Sequence, residues 1–424
     1  MNHPKIQFGL LILICCFLLC ACQNAPFSTS SSLDCNPSSC PSIISPLDSS
    51  VQDTVDSVTT QQLLEDYDTL WRSLEENYVF FPMLEKQRID VSAIKTDTRK
   101  LIQNQPADIS LFYEALDKMF LSMNYFAHLS VETKDGYDVD ASHYCAEDAG
   151  ENAWKSALEK APVQKFYSDL PASTSASAAP NAASSETISA SYNQQRKAAI
   201  ISIRSFNSAY LDHDQQYILD FLLSLQDQEV SDIVFDLSHN RGGTTEYWQN
   251  NIVAPFGGSY TWDKWLYVRA TELIKSYLPN YSDYQPISAL PEDHPAPEFV
   301  FTLGLTHYYH SVESIHSDAT LPENLLSARR WVLIDDAVYS AADSFAYFCK
   351  ATKWATLVGA ATDGDGLGMT PILVDLPNTG ILVRFSSQVG ENTDGTCNTE
   401  SGTSPDNYCN RFESPLSAFY RLTS

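Results

Sequence analysis

The sequence predicts an α/β protein whose core is built from parallel strand–helix units, with a small helical N-terminal domain ahead of it. Two patterns lead to this prediction. Apolar residues recur with the 3.6-residue helical period between residues 59 and 123, and beyond residue 197 short apolar strands alternate with amphipathic helices. Strands joined through helices favour parallel pairing, because each helix returns the chain to the same end of the sheet.

The helical domain is expected to contain three helices. The first begins at Thr59 or Thr60, the second at Ser92 and the third near Asp108, since these residue types cap helix starts. A strand over residues 126–131 should follow, because polar and apolar side chains alternate there.

The core elements are predicted from the helical period of 3.6 residues and from short apolar runs typical of buried strands. A stretch rich in Ala, Ser, Thr and Asn, at about 171–195, precedes them and is too poor in large apolar residues to order itself. The expected elements are strands at 198–203, 232–237, 331–335 and 355–359, with helices at 212–226 and 340–353. The resulting segments are a signal peptide at 1–21, a Ser/Pro-rich tether at 22–58, the helical domain at 59–132, an insert with a low-complexity linker at 133–196, and the core at 197–424.

The N-terminus carries a targeting signal. Its apolar run from Phe8 to Leu19 is shorter than the ~20 residues that span a bilayer. The run ends in Leu19-Cys20-Ala21-Cys22, which resembles a bacterial lipoprotein signal, with cleavage before Cys22 and acylation of its thiol. An ordinary secretory signal is the alternative. Lipidation would hold the protein on the extracytoplasmic face of the cell membrane.

Composition limits the partners. The 424 residues include 26 Lys and Arg against 53 Asp and Glu, a net charge of −27. Phosphate backbones would repel such a protein, so no nucleic acid partner is expected. The mature chain has no C-x-x-C zinc pattern, and its cysteines would lie in an oxidising compartment where disulfides can form. His307, His310 and His316 could collect a metal, but they lack the H-E-x-x-H spacing.

Two segments carry candidate chemistry. In Asp236–Gly243, the glycines Gly242 and Gly243 follow a strand and could bring bare N–H groups close to a ligand, although a plain tight turn has the same signature. Ser340 stands at a predicted helix start, where the N-terminal field favours a nucleophile. Ser340 with Asp343 also fits a helix capping box. A third segment, the polar loop at 398–406, reads equally well as a solvated turn.

In their order along the chain, these segments resemble the C-terminal processing peptidase and tricorn protease family of serine peptidases. The segment Phe126-Ala127-His128-Leu129 is similar to the histidine segment of that family, and the likeness covers most of the mature chain. It implies a crotonase-like core, a protein or peptide substrate and no cofactor. It also implies that Ala341 and either Gly242 or Gly243 donate N–H groups to an oxyanion.

The catalytic base separates two branches of this family. The branch that uses a lysine has it at a position occupied here by Asp365. The sequence instead resembles the tricorn-like branch, which implies Ser340 as nucleophile, His128 as base and Glu400 as the acidic member. A catalytically inactive relative that binds peptides is the competing class.

The sequence also departs from the family pattern. Ser238 replaces an arginine and Asp343 replaces a glutamate. Too few residues separate His128 from Ala198 for a PDZ domain. Cys397 and Cys409 flank the Glu400 loop, and in an oxidising compartment we predict a disulfide between them that closes this loop and positions the carboxylate.

Overall fold

The computed structural model describes residues 58–147, 149–170 and 187–424. The signal segment, Cys22, the tether up to residue 57 and most of the low-complexity stretch lie outside the described residues. Within the described ranges, no helix is both long enough and apolar enough to cross a membrane.

The N-terminal helices follow their capping signals. Thr59 accepts a hydrogen bond from the N–H of Gln62, whose side chain in turn accepts from the N–H of Thr59, a complete capping box. Asp108 caps the helix that follows it. The three predicted helix starts are therefore confirmed to within one residue, but the expected number of helices is wrong, because a short fourth helix at Phe81–Lys86 was not predicted. The four helices are α1 (Thr60–Asn77), α2 (Phe81–Lys86), α3 (Val91–Asn104) and α4 (Ile109–Leu121).

The predicted strand at 126–131 is wrong in its first half. Only Ser130–Val131 form a strand, β1, whereas Phe126–His128 form a tight turn. In that turn Ala127 and His128 have φ of 53° and 58°. Tertiary hydrogen bonds replace a strand ladder here, because the N–H of Ser386 donates to the carbonyl of Ala127.

The described residues of the insert form three helices and a strand. Its helices bury Trp154 and Tyr167 in the same apolar cluster as α1 and α4. The low-complexity prediction is wrong at its end, because residues 188–193 pair antiparallel with the next strand. These elements are α5 (Lys134–Tyr144), α6 (Ala153–Leu158), α7 (Ala161–Asp169), β2 (Ile188–Asn193) and its partner β3 (Ala198–Ile203).

A six-stranded sheet in the order β13-β9-β8-β4-β3-β2 forms the centre of the core. Its pairings are parallel except at β2, which confirms the parallel strand–helix prediction. Loops after β4 and β8 therefore leave from the same edge and meet there. The remaining elements of this layer are α8 (Leu211–Ser224), β4 (Asp232–Asp236), β8 (Arg329–Ile334), α13 (Ala341–Thr352), β9 (Thr356–Gly359), β13 (Asn407–Tyr408) and α15 (Pro415–Leu422).

Two antiparallel sheets complete the fold, in the orders β1-β11-β10 and β12-β5-β7-β6. The chain passes from one sheet to the other at Ser386 and Ser387, between β11 and β12. Their strands are β5 (Gly258–Val268), β6 (Gln285–Pro286), β7 (His307–Ser317), β10 (Ile372–Asp375), β11 (Leu382–Phe385) and β12 (Gln388–Gly390). The short helices are α9 (Thr245–Trp248), α10 (Glu272–Tyr277), α11 (Glu298–Thr302), α12 (Glu323–Leu326) and α14 (Asn398–Ser401).

Candidate active site

Ser340 lies in a strained turn between β8 and α13. Its φ of 55° and ψ of −127° belong to a region that residues other than glycine rarely adopt. The Ser340 N–H donates to the carbonyl of Gly364, and its hydroxyl makes no capping bond to α13. The capping-box alternative is therefore wrong. The hydroxyl instead faces His128, with Oγ 3.2 Å from Nε2.

His128 links this hydroxyl to a carboxylate. Its Nδ1 lies 2.6 Å from Oδ2 of Asp365, on the opposite side of the ring from Ser340. The His128 side chain is 16% exposed and that of Asp365 only 3%, so solvent reaches the imidazole but hardly reaches the acid. The order hydroxyl, imidazole, carboxylate is the one that nucleophilic serine chemistry requires.

Asp365 is a buried anion that is stabilised by hydrogen bonds from protein groups. Its Oδ2 accepts from the hydroxyls of Ser386 at 2.7 Å and Tyr339 at 3.0 Å, and its Oδ1 accepts from Thr399 at 3.1 Å. Burial alone would raise the pKa of the Asp365 carboxyl, but the His128 charge and the hydrogen bonds from His128, Ser386 and Tyr339 outweigh burial and lower it. The acid therefore stays ionised beside the imidazole.

Glu400 does not contact His128. It forms an ion pair with Lys86 of α2 and leaves the acidic position to Asp365. The cause is the α14 turn, which directs Thr399 rather than Glu400 toward the site. The prediction that Glu400 is the acidic member is wrong in this structure. Asp365 was visible in the sequence, but only as a replacement for a lysine.

The Gly242-Gly243 turn packs against the nucleophile. A Cβ on Gly242 would lie 2.8 Å from the Tyr339 carbonyl and 2.9 Å from the Ala341 nitrogen, so only glycine fits. The Gly242 N–H donates to Oδ1 of Asn240 and is not free for a ligand. Ala341 opens α13, where N–H groups have no acceptor within the helix. Gly243 and Ala341 therefore remain the candidate oxyanion donors.

Asp343 ties the nucleophile helix to the loop that carries Asp365. It is fully buried and accepts from Thr362 Oγ1 at 2.5 Å and Asn398 Nδ2 at 2.8 Å. The N–H of Gly366 also donates to it, at 3.2 Å. Asp343, which stands where the family has a glutamate, therefore connects α13 to the loop at 362–366 and to α14 through hydrogen bonds. The sequence did not reveal this role.

An arginine is present near Ser238 although the motif lacks one. Arg204, at the end of β3, donates to the Ser238 carbonyl at 2.6 Å and to Asp236 Oδ2 at 2.9 Å. Its guanidinium fixes the strand end from which the glycine turn departs.

Lys350 and Lys353 lie away from the nucleophile. The Lys350 ammonium is 2.8 Å from Oδ1 of Asp406, near β13. Lys353 is 71% exposed. Neither lysine contacts Ser340 or His128.

We therefore expect Lys350→Ala and Lys353→Ala to change kcat/KM by about twofold or less, since neither removes a group from the site. Turnover of a peptide substrate, measured beside thermal melting, checks this. A lysine variant that is folded but inactive would contradict the assignment of the base.

The cysteines in the described part of the chain are Cys145, Cys349, Cys397 and Cys409, and all four are free thiols. The predicted disulfide is therefore wrong. Cys397 is buried in the cluster that contains the N-terminal helices, whereas Cys409 packs beside α15 in a different apolar cluster. Burial raises the pKa of the Cys397 thiol to about 12, so it stays protonated. The described residues form no group of three or more His, Cys, Asp and Glu side chains arranged to hold a metal.

Ser340 and Asp365 follow strands of the parallel sheet, and His128 reaches them from the turn before β1. A serine, a histidine and a buried aspartate in hydrogen-bonded series define a serine hydrolase type of site. The sequence model of peptidase family S41 matches residues 197–409, half of the chain. The chain belongs to peptidase family S41, a family of serine-type peptidases. No curated protein matches it.

Solved structures with a similar trace have low sequence identity. Mature CPAF is 14% identical, with 86% of this chain and 96% of that chain covered and a TM-score of 0.48. A lipoprotein from Streptococcus agalactiae is 10% identical, with 86% and 95% covered and a TM-score of 0.42. The photosystem II D1 C-terminal processing protease is 13% identical, with 83% and 93% covered and a TM-score of 0.37.

Proposed function

We propose that this protein is a serine endopeptidase that hydrolyses peptide bonds of extracytoplasmic proteins or peptides through Ser340, His128 and Asp365. One observation carries the proposal: the His128 imidazole lies 3.2 Å from the hydroxyl and 2.6 Å from the carboxylate. The parallel strand–helix units around this site support a crotonase-like core. In the described part of the stretch between His128 and Ala198, the elements are β1, α5–α7 and β2, which supports the absence of a PDZ domain.

The chemistry follows from the geometry. As Ser340 Oγ bonds to the scissile carbonyl carbon, Nε2 of His128 takes the hydroxyl proton and Asp365 stabilises the resulting imidazolium. The N–H groups of Ala341 and Gly243 would hold the oxyanion. The imidazolium then protonates the leaving amine as the C–N bond breaks, and water hydrolyses the acyl-enzyme by the same steps.

The competing hypothesis is an inactive relative that binds peptides. The strained backbone at Ser340 disfavours it, since strain of this kind has a cost that a binding surface does not need. Asp365 also favours the peptidase over the inactive relative. Its buried carboxylate has four hydrogen-bond partners, and a buried anion beside His128 stabilises the positive charge that the imidazole gains during catalysis.

Reaction with a fluorophosphonate separates the two hypotheses. We expect the native protein to be labelled at Ser340, as found by peptide mapping, and heat-denatured protein to remain unlabelled, because only the folded site activates the hydroxyl. A native protein that stays unlabelled while an unrelated serine hydrolase in the same tube reacts would overturn the proposal.

We propose further that the protein is anchored to the bacterial membrane through lipid on Cys22. Support comes from the Leu19-Cys20-Ala21-Cys22 sequence and the Ser/Pro-rich stretch that follows it. Palmitate incorporation into the full chain tests this, with Cys22→Ala as the control. Label that persists in Cys22→Ala would contradict it.

A further inference from the structure

Tyr339 precedes the nucleophile and touches both other members of the triad. Its ring is buried, 9% exposed, and its hydroxyl accepts the backbone N–H of His128 at 3.0 Å. The same oxygen lies 3.0 Å from Nδ1 of His128 and 3.0 Å from Oδ2 of Asp365. A single phenol thus joins the loop of the nucleophile to the main chain of the base and to the acid.

We propose that Tyr339 is a positioning residue of the peptidase, whose hydroxyl fixes the place and the tautomer of His128 relative to Ser340. The inference rests on the proposed function and extends it to a residue outside the triad.

The backbone conformations of His128 and Ser340 explain why the hydrogen bonds of the Tyr339 hydroxyl matter. His128 has φ of 58° and Ser340 has φ of 55°, so both catalytic residues lie in sparsely populated conformations. Conformations of this kind persist only where tertiary contacts over-determine them. The Tyr339 hydroxyl supplies such a contact at the His128 N–H, and because Tyr339 adjoins Ser340, it relates the two turns directly.

Proton accounting gives the tautomer. A phenol has one proton, and the geometry directs it to Oδ2 of Asp365, while a lone pair accepts the His128 N–H. The Nδ1 proton of the imidazole then goes to Asp365 at 2.6 Å, which leaves Nε2 free to accept from Ser340. Burial and the Asp365 charge raise the pKa of Tyr339 well above its usual value, so the phenol keeps its proton.

The solvent side of the ring is also fixed. The guanidinium of Arg241 lies 4.7 Å from the ring centroid and pairs with Asp363 at 3.2 Å. Among the described residues, the charged or titratable groups around Tyr339 include Arg241, Asp363, Asp365, His128 and the buried guanidinium of Arg384.

Tyr339→Phe removes the hydroxyl alone. We expect kcat to fall about 10- to 100-fold with KM within about twofold, because the loss acts on the base rather than on substrate binding. Asp365 would lose one donor and attract the imidazole proton more strongly, so the acidic limb of the kcat/KM profile should move to higher pH. The matched control is Tyr347→Phe on α13, whose buried hydroxyl donates to the Asp263 carbonyl at 2.9 Å, and it should keep wild-type kcat and pH profile.

A second variant covers the case in which Tyr339→Phe folds poorly. 3-Fluorotyrosine at position 339 keeps the contacts but donates more strongly to Asp365, so the same limb should move to lower pH. Active-site titration normalises each kcat to folded sites. Unchanged kcat and pH profiles in both variants, beside an active wild type, would overturn this inference alone. A wild type that neither labels nor hydrolyses would overturn the proposed function instead.

Discussion

Ser340→Ala is expected to lower peptide hydrolysis by about 10⁴-fold or more while leaving the melting temperature within about 1 °C of wild type. The substitution removes only Oγ, whose partner in the structure is His128 Nε2. Alanine meets the same backbone constraint as serine at this φ, and no helix cap is lost. Turnover of a casein-type substrate and thermal melting, measured on the same preparations, check both parts.

Ser414 supplies the control, because it is a true helix cap. Its hydroxyl accepts the N–H of Ser417 at the start of α15, far from the triad in the chain. Ser414→Ala should lose about 1 kcal/mol of stability and keep full activity. If Ser340→Ala behaved like Ser414→Ala, the nucleophile assignment would be wrong.

Elements with strong local signals could be predicted from the sequence. The capping box at Thr59 and the cap at Asp108 fix helix starts through contacts within three residues. Strands β3, β4, β8 and β9 are short apolar runs buried in a parallel sheet, so their parallel pairing follows from alternation with helices, whereas their order in the sheet was not predicted.

The errors arise where distant contacts decide. Residues 126–128 alternate like a strand, but bonds to Tyr339 and Ser386 hold them in a left-handed turn. Strand β2 has only two large apolar residues, Ile188 and Tyr192, and its antiparallel pairing with β3 places them against the core. Composition and periodicity describe the local sequence only, so they cannot predict these contacts with residues distant in the chain.

In the candidate site, too, the residues in recognisable local segments were identified from sequence, whereas the residue chosen by distant contacts was not. Ser340 and His128 stand in recognisable segments, and the structure brings their side chains together. The acid was assigned wrongly, because the family resemblance pointed to Glu400 and Asp365 stood out only as the replacement for a lysine. The choice depends on the direction of the α14 turn, which is set by Asn398 bonding to the buried Asp343.

Asp365→Asn is therefore the sharpest test of the site. We expect kcat to fall about 10⁴-fold with the fold retained, because the asparagine amide would donate to Nδ1 and force the proton onto Nε2, where it blocks the attack of Ser340. Glu400→Gln is the matched control. It removes one charge from a partly exposed ion pair with Lys86, and such pairs contribute about 0–1 kcal/mol, so kcat should change by about twofold or less. The reverse outcome, a dead Glu400→Gln beside an active Asp365→Asn, would restore Glu400 as the acid.

The stability of Asp365→Asn adds a pH signature to this test. Because the folded-state pKa of Asp365 is lowered, its ionised form stabilises the wild type above the pKa of the unfolded chain, and that contribution disappears as the pH falls through the folded pKa. Asparagine does not titrate. Between pH 6 and about pH 3, the melting temperature of the wild type should therefore fall more steeply than that of Asp365→Asn, whereas Glu400→Gln should follow the wild type. Parallel curves for wild type and Asp365→Asn would show that His128 and the surrounding hydroxyls do not hold Asp365 as an anion, and the imidazole would then lack the charge that orients it.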